Sequence, residues 1–241
     1  MDNSIENWKG LKKILVVLAH PDDPEFFLGA TIAKWAAEGH TINYCLLTKG
    51  EKGTNNPEIS SEEVSKLRQI EQDLAGKVLG VTHIRFLDYE DGYLVPTIET
   101  RKQIVGVIRK EKPDVVVSCD PTNYFPRPDY VNHPDHRAAG QIVLDAIFPA
   151  AGSRLYFPEL LREGADPHMP EELWLSLTAN PNVNLDVTAW WHMKIQALLE
   201  HKSQIGDKEQ FIKRMEGKFT PQSTIEAPQY IEQYKRVIFR R

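Results

Sequence analysis

The sequence predicts an α/β fold: a mostly parallel sheet with helices on both of its faces. Three observations carry this expectation. Short apolar runs rich in β-branched residues recur along the chain, as in ILVVL and DVVVS. Each is followed by a segment with apolar residues at helical spacing. The runs are continuously apolar rather than alternating, as strands covered on both faces require. The chain of 241 residues is long enough for one sizeable core. No repeat, low-complexity tract or linker divides it, so residues 1–241 are read as a single domain.

The elements follow in order. Lys12–Ala19 (KKILVVLA) is the first strand. Phe26–Glu38 carries Phe27, Ala30, Ile32, Ala33, Ala36 and Ala37 at helical spacing, and Gly39 stops it. Thr41–Thr48 is the second strand, and the turn-rich segment 49–59 follows it. Ser60 and Glu63 form a capping-box pattern opening a long helix that Gly80 closes after Leu79. His83–Leu87 is a third strand, and DYEDG turns. Ile98–Lys110 reads as a helix, and Asp114–Ser118 as a fourth strand. A proline-rich loop, residues 120–132, leads into a helix over residues 133–148. Leu173–Leu177 reads as a strand and Ala189–Lys202 as a helix. Alternating β and α elements imply a doubly wound sheet. With strand order 3-2-1-4-5, strands 1 and 4 are neighbours, and ligands of such sheets bind beyond the carboxyl ends of the strands at that switch point. The site is therefore expected at the C-terminal ends of strands 1 and 4.

Composition narrows the functional classes. The chain is 41% hydrophobic and 26% charged, with a formal net charge of −5. No basic block marks a nucleic-acid or membrane surface, and no apolar run approaches the ~20 residues of a membrane span. The polar, acidic start MDNSIENWKG is not a signal peptide. Cys45 and Cys119 sit in or beside apolar runs and read as buried core thiols of a reducing compartment. A cytoplasmic protein is expected.

Two clusters of chemistry-bearing residues occupy the expected site. AHPDDPE, at the end of strand 1, holds His20, Asp22 and Asp23. NHPDH, after strand 4, holds His133, Asp135 and His136, with Pro134 suited to the first turn of a helix. His133 and His136 lie three apart and so neighbour each other on that turn. One histidine and one carboxylate from the first cluster, with one histidine from the second, make a common catalytic zinc set. A second carboxylate could take a proton from water, and a further histidine could stabilise an oxyanion or protonate a leaving group. Either motif alone has a bland reading, a helix cap beside an exposed histidine; their convergence at adjacent strand ends argues for a site. The dinucleotide and P-loop glycine patterns are missing, as is a GxSxG nucleophile elbow.

These residues resemble a known family. AHPDDPEFFLGATIA and NHPDHRAAG are similar to the two signatures of the PIG-L/LmbE-like zinc N-deacetylases. TKGEKG (48–53), LRQIEQDLAGKVLG (67–80), FLDYEDG (86–92), KPDVVVS (112–118) and KIQALLEHKSQ (194–204) extend the likeness across most of the chain. The resemblance implies a Rossmann-like fold, a homo-oligomer (trimer or hexamer), and hydrolysis of the N-acetyl group of an N-acetylglucosamine-type sugar or glycoconjugate. By motif position it implies His20, Asp23 and His136 as ligands of Zn2+, or of another divalent transition metal. It implies Asp22 as general base, and His133, oriented by Asp135, as the group that stabilises the intermediate. Arg68 would contact substrate or lie on a solvated helix face; Asp91 would line the pocket or serve an ordinary turn. Glu25 would support the strand-1 loop or cap a helix. His201, Ser203 and Gln204 match a family motif without a role that the sequence supplies. Two departures bear on substrate: Ala30 within Gly29-Ala30-Thr31, and Asn132 before HPDH. The 120–132 loop, with Tyr124, Phe125, Arg127 and Tyr130, reads either as a lid or sugar-stacking wall or as a plain surface loop. Two other readings compete. One is a metal-dependent hydratase of an unsaturated carboxylic acid, which an arginine-rich pocket would favour. The other is a sugar-binding module without turnover, against which the base-like Asp22 argues.

Overall fold

In the computed structural model, which describes residues 5–239, a seven-stranded sheet runs in the order β3-β2-β1-β4-β5-β7-β6. Its strands are β1 (Lys13–Leu18), β2 (Thr41–Thr48), β3 (His83–Tyr89), β4 (Val115–Cys119), β5 (Glu172–Ser176), β6 (Val183–Asp186) and β7 (Ile231–Ile238). β1 pairs in parallel with both β2 and β4, and β4 with β5. The expected order 3-2-1-4-5 is therefore present. β7 is antiparallel to both β5 and β6, and these two strands add an edge that the sequence reading left unassigned. The segment IEQYKRVI hides its role because Glu232 points inward. Its carboxylate accepts from the Thr31 amide at 2.8 Å and pairs with Lys194 at 2.6 Å, so a charge occupies a buried position that usually reads as apolar.

Side chains alternate along the central strands between two cores. Ile14, Val16 and Leu18 of β1 face the helices α1 (Asp23–Ala37), α2 (Ser61–Leu79), α6 (Trp191–Leu198) and α7 (Lys208–Glu216). Leu15, Val17 and Ala19 face α3 (Ile98–Glu111) and α4 (Pro134–Asp145). This double burial is why β1 is apolar from Ile14 to Leu18 and β4 from Val115 to Val117; the buried Ser118 donates its hydroxyl to the Val17 carbonyl at 2.8 Å. A short helix, α5 (Glu159–Arg162), lies before β5.

Helix ends obey local chemistry. Ser60 and Glu63 make the full capping box on α2, and Gly80 closes it at φ 79°. α1 begins at Asp23, earlier than the expected Phe26, because Pro24 suits a first turn. α4 ends at Asp145 rather than Phe148. A π-helical turn, Ala146–Ala151, follows, in which Phe148 is extended (φ −127°, ψ 125°) ahead of Pro149, as a residue preceding proline favours. α6 is also shorter than expected, a 3-10 turn over Thr188–Trp190 preceding it.

One close approach positions the site. A Cβ on Gly140 would lie 2.2 Å from the Cys119 carbonyl oxygen, so only glycine lets α4 press this tightly on the end of β4. That contact sets His136, one turn earlier, above the strand ends. Among the described residues, no helix is long and apolar enough to cross a membrane, and Cys45 and Cys119 are free and buried.

Candidate metal centre and active site

β1 exits into His20-Pro21-Asp22-Asp23, and the turn is made at Asp22. This residue adopts a left-handed conformation (φ 83°, ψ −26°) at the N-cap of α1. A non-glycine residue there carries strain on the order of 1–3 kcal/mol. Two residues of α2 hold it. The Asp22 amide donates to Gln72 Oε1 at 2.8 Å, and Arg68 Nη2 donates to the Pro21 carbonyl at 2.7 Å and to Asp22 Oδ2 at 3.1 Å.

Past this turn, Asp23 points inward and joins the two clusters. Its Oδ1 lies 3.0 Å from His136 Nε2 and its Oδ2 3.3 Å from His20 Nδ1. Burial alone would raise this carboxyl's pKa. The His136 and His20 imidazoles outweigh burial and hold it well below the usual carboxylate range.

The tautomer of His136 follows from its neighbours. Asn132 Nδ2 donates to the Asn123 carbonyl at 2.9 Å, which leaves Asn132 Oδ1 to accept from His136 Nδ1–H at 3.0 Å. In the neutral ring, Nε2 is then a lone pair facing Asp23 Oδ1. Two acceptors 3.0 Å apart require a proton or a cation between them. On the other side, His20 Nε2 faces Asp91 Oδ1 at 3.1 Å and Asp135 Oδ2 at 3.3 Å, so those carboxylates hold its N–H and, in the neutral ring, leave the lone pair of Nδ1 on the Asp23 side. Burial lowers the His20 pKa, but Asp23, Asp135 and Asp91 together raise it well above the usual value. Once His20 gives up the proton that these carboxylates favour, its Nδ1 and His136 Nε2 flank one carboxylate, a set that suits a divalent transition metal. Two groupings have ligand atoms that all lie within 4.8 Å of one another, His20, His133 and His136, and His20, Asp91 and Asp135. Asp135 is the weakest donor of these, since its oxygens already accept from the Gly92 amide at 2.7 Å and the Leu94 amide at 3.2 Å.

Asp22 stands beside this set with its side chain 15% exposed. Burial pushes its pKa up to about 6, the Arg68 guanidinium opposing and Asp23 adding to the rise. His133 packs against both other rings, its centroid 4.7 Å from that of His20 and 5.2 Å from that of His136. Its Nδ1 accepts from the Asp135 backbone amide at 3.2 Å, which leaves Nε2 to carry the ring proton. Burial, with His20 and His136 nearby, lowers its pKa and keeps the ring neutral.

All eight expected site residues, His20, Asp22, Asp23, Arg68, Asp91, His133, Asp135 and His136, converge here, but three have other partners than expected. The Asp135 carboxylate does not orient the His133 ring; it bonds the Gly92 and Leu94 amides and His20. Arg68 is 4% exposed and faces Asp22, Pro21 and Gly50 rather than open space. Asp91 turns to His20 and to the Lys52 amide. In each case tertiary hydrogen bonds claim a group whose sequence neighbours suggested a free side chain. Gln72 went unrecognised, though its spacing of four from Arg68 places both on one helix face. The loop over 120–132 is rooted through Asn123 and Asn132, while Tyr124 and Phe125 at its tip are exposed.

The geometry can be set beside known proteins. The family model described as PIG-L, GlcNAc-PI de-N-acetylase, matches residues 15–147. A diacetylchitobiose deacetylase of Thermococcus kodakarensis is 37% identical over 83% of this chain and 72% of its own. Among solved structures, an N,N'-diacetylchitobiose deacetylase from Pyrococcus horikoshii superposes with a TM-score of 0.86 at 28% identity, covering 98% of this chain and 86% of that one. A 4-carboxy-2-hydroxymuconate hydratase from Pseudomonas putida KT2440, 20% identical with a TM-score of 0.75 over 95% of this chain and 98% of that one, shares the fold alone. The matched span includes both histidine–aspartate clusters, and the chain belongs to the PIG-L family of N-deacetylases.

Proposed function

We propose that the protein hydrolyses the acetamide of an N-acetylglucosamine-type sugar or glycoconjugate, with His20 Nδ1, Asp23 and His136 Nε2 holding a divalent transition metal, most simply zinc. The observation that carries this reading is the Asp23 carboxylate, with an imidazole at 3.0 Å on one oxygen and at 3.3 Å on the other, beside the second, partly open carboxylate of Asp22. The names of the relatives support an acetylated amino sugar as substrate.

When bound, such an ion supplies a Lewis acid for the amide carbonyl and lowers the pKa of water towards ~7. The remaining roles belong to side chains. Asp22, ionised and held by Arg68, accepts the proton of the attacking water. His133, neutral with its proton on Nε2, donates to the oxygen on which negative charge develops. As the C–N bond breaks, the proton taken by Asp22 passes to the departing amine, and acetate remains. Asp91 and Asp135 fix the ring of His20, and Arg68 fixes Asp22. The hydratase alternative called for arginines facing a carboxylate substrate, and the commitment of Arg68 to Asp22 removes its nearest candidate.

The same reading includes a cytoplasmic homo-oligomer, trimeric or hexameric. Unpaired, buried Cys45 and Cys119 support a reducing compartment. Leu67, Ile70 and Leu74, exposed on one face of α2, support self-association. Acetate release from N,N'-diacetylchitobiose and N-acetylglucosamine derivatives tests the activity. Loss of release on chelation and its return with Zn2+ is the expected result. Sugar binding by calorimetry without acetate release would instead favour a module that binds without turnover.

A further inference from the structure

His201, Ser203 and Gln204 follow α6, and each bonds a different part of the scaffold beneath Asp22. His201 Nε2 lies 3.1 Å from Glu25 Oε2. The Ser203 amide and hydroxyl donate to the two oxygens of Glu71 at 2.7 and 2.6 Å. Gln204 Nε2 donates to the Gly53 carbonyl at 3.0 Å.

Two of these contacts continue to Asp22. Along the first route, Glu25 Oε1 accepts from Gln72 Nε2 at 2.9 Å, and Gln72 Oε1 accepts from the Asp22 amide at 2.8 Å. Along the second, Gln204 holds the loop that seats Arg68. A Cβ on Gly53 would lie 2.5 Å from Arg68 Nη1, and one on Gly50, at φ 66°, 2.2 Å from it. Arg68 in turn bonds the Asp22 carboxylate. The backbone and the side chain of Asp22 are thus gripped separately, and both grips lead back to one short segment.

The cost of this arrangement argues for its purpose. His201, Glu25 and Gln72 are all 0% exposed. An ionisable pair so deep is often no better for stability than well-packed apolar residues of similar volume, so fixing one conformation is the role its geometry offers. The strained turn at Asp22 is the feature in need of such specification, because a left-handed aspartate persists only where its surroundings over-determine it. Burial lowers the His201 pKa, but the Glu25 carboxylate raises it above the usual value, in keeping with a tight pair.

We propose that His201, Glu25 and Gln72 form a buried positioning chain that holds Asp22 in its left-handed conformation and so aims its carboxylate. The catalytic arm of this proposal rests on the reading of Asp22 as base; the structural arm does not. Gln72→Met keeps the length of the side chain and removes both bonds. His201→Leu breaks the chain at its far end, and His201→Gln restores a donor to Glu25.

The test combines kinetics, metal affinity and amide exchange on the metal-loaded protein. In Gln72→Met, kcat for acetate release falls on the order of 10- to 100-fold, while KM and Zn2+ affinity stay within about twofold. The Asp22 amide exchanges with solvent at least about tenfold faster, while amides deeper in α1 keep their protection. His201→Leu shows the same pattern more weakly, and His201→Gln recovers towards wild type. If Gln72→Met does not fold, the His201 pair carries the test. An unchanged Asp22 exchange rate overturns the proposal, as does a kcat loss that only follows loss of folded protein. If wild type releases no acetate, the deacetylase reading fails, and amide exchange alone decides whether the chain positions Asp22.

Discussion

Arg68 donates from one guanidinium nitrogen to both the carbonyl of Pro21 and the carboxylate of Asp22, 2.7 and 3.1 Å away. A single cation on α2 therefore fixes the backbone entering the turn and the side chain leaving it. It is also the largest influence opposing the burial that pushes Asp22 up to about 6.

A pH dependence follows. A general base works only when ionised, so activity is lost as pH falls through the Asp22 pKa. Any bound cation pulls that pKa down further, which places the acidic limb of wild type at or below about 6. Arg68→Gln removes the opposing charge and shifts the limb to higher pH; Arg68→Lys keeps the charge and shifts it less. Profiles of kcat/KM for the three proteins check this, and identical limbs would remove Arg68 from the account.

Asp22→Asn keeps size and hydrogen bonding but cannot take a proton. Acetate release falls on the order of 100- to 10,000-fold, while the Zn2+ content of the purified protein is unchanged. Loss of metal in this variant would make Asp22 a ligand rather than a base.

Asn132 is expected to govern metal affinity without touching the metal. Asn132→Leu frees the His136 ring and weakens Zn2+ binding by about 10- to 100-fold, read by competition with a chromophoric chelator. Asn132→Asp retains the acceptor for Nδ1 and stays closer to wild type.

Two glycine substitutions separate close approach from helix propensity. Gly140→Ala drives a methyl to 2.2 Å from the Cys119 carbonyl and lowers stability by about 1–3 kcal/mol in denaturant titrations. Gly106→Ala, inside α3, meets only Leu160 at 3.7 Å and raises stability by about 0.5–1 kcal/mol. Equal effects at the two positions would contradict the tight seating of α4 on β4.

What the sequence reveals of this protein depends on how local the cause is. β1 and β4 announce themselves because burial on both faces selects the continuous apolar runs Ile14–Leu18 and Val115–Val117, and the doubly wound rule then brings His20 and His136 together. β7 does not, because Glu232 is buried through pairing with Lys194 and Thr31, residues more than thirty-five positions away. The site divides in the same way. The two motifs place Asp22, Asp23 and the histidines at one spot, yet the family resemblance pairs Asp135 with His133, its neighbour in sequence. The carboxylate instead meets the amides of Gly92 and Leu94, and that choice rests on how the turn after β3 lies against α4. Arg68 likewise reads as a surface or substrate residue until the left-handed turn at Asp22 supplies its partners.

The most direct test of the central claim is acetate release from N,N'-diacetylchitobiose by the Zn2+-loaded protein, by the same protein after chelation, and by Asp23→Ala. The first is expected to release acetate, the second to lose release and recover it on adding Zn2+, and the third to show neither tight metal binding nor release. Release that persists at full rate through chelation and in Asp23→Ala would contradict that claim.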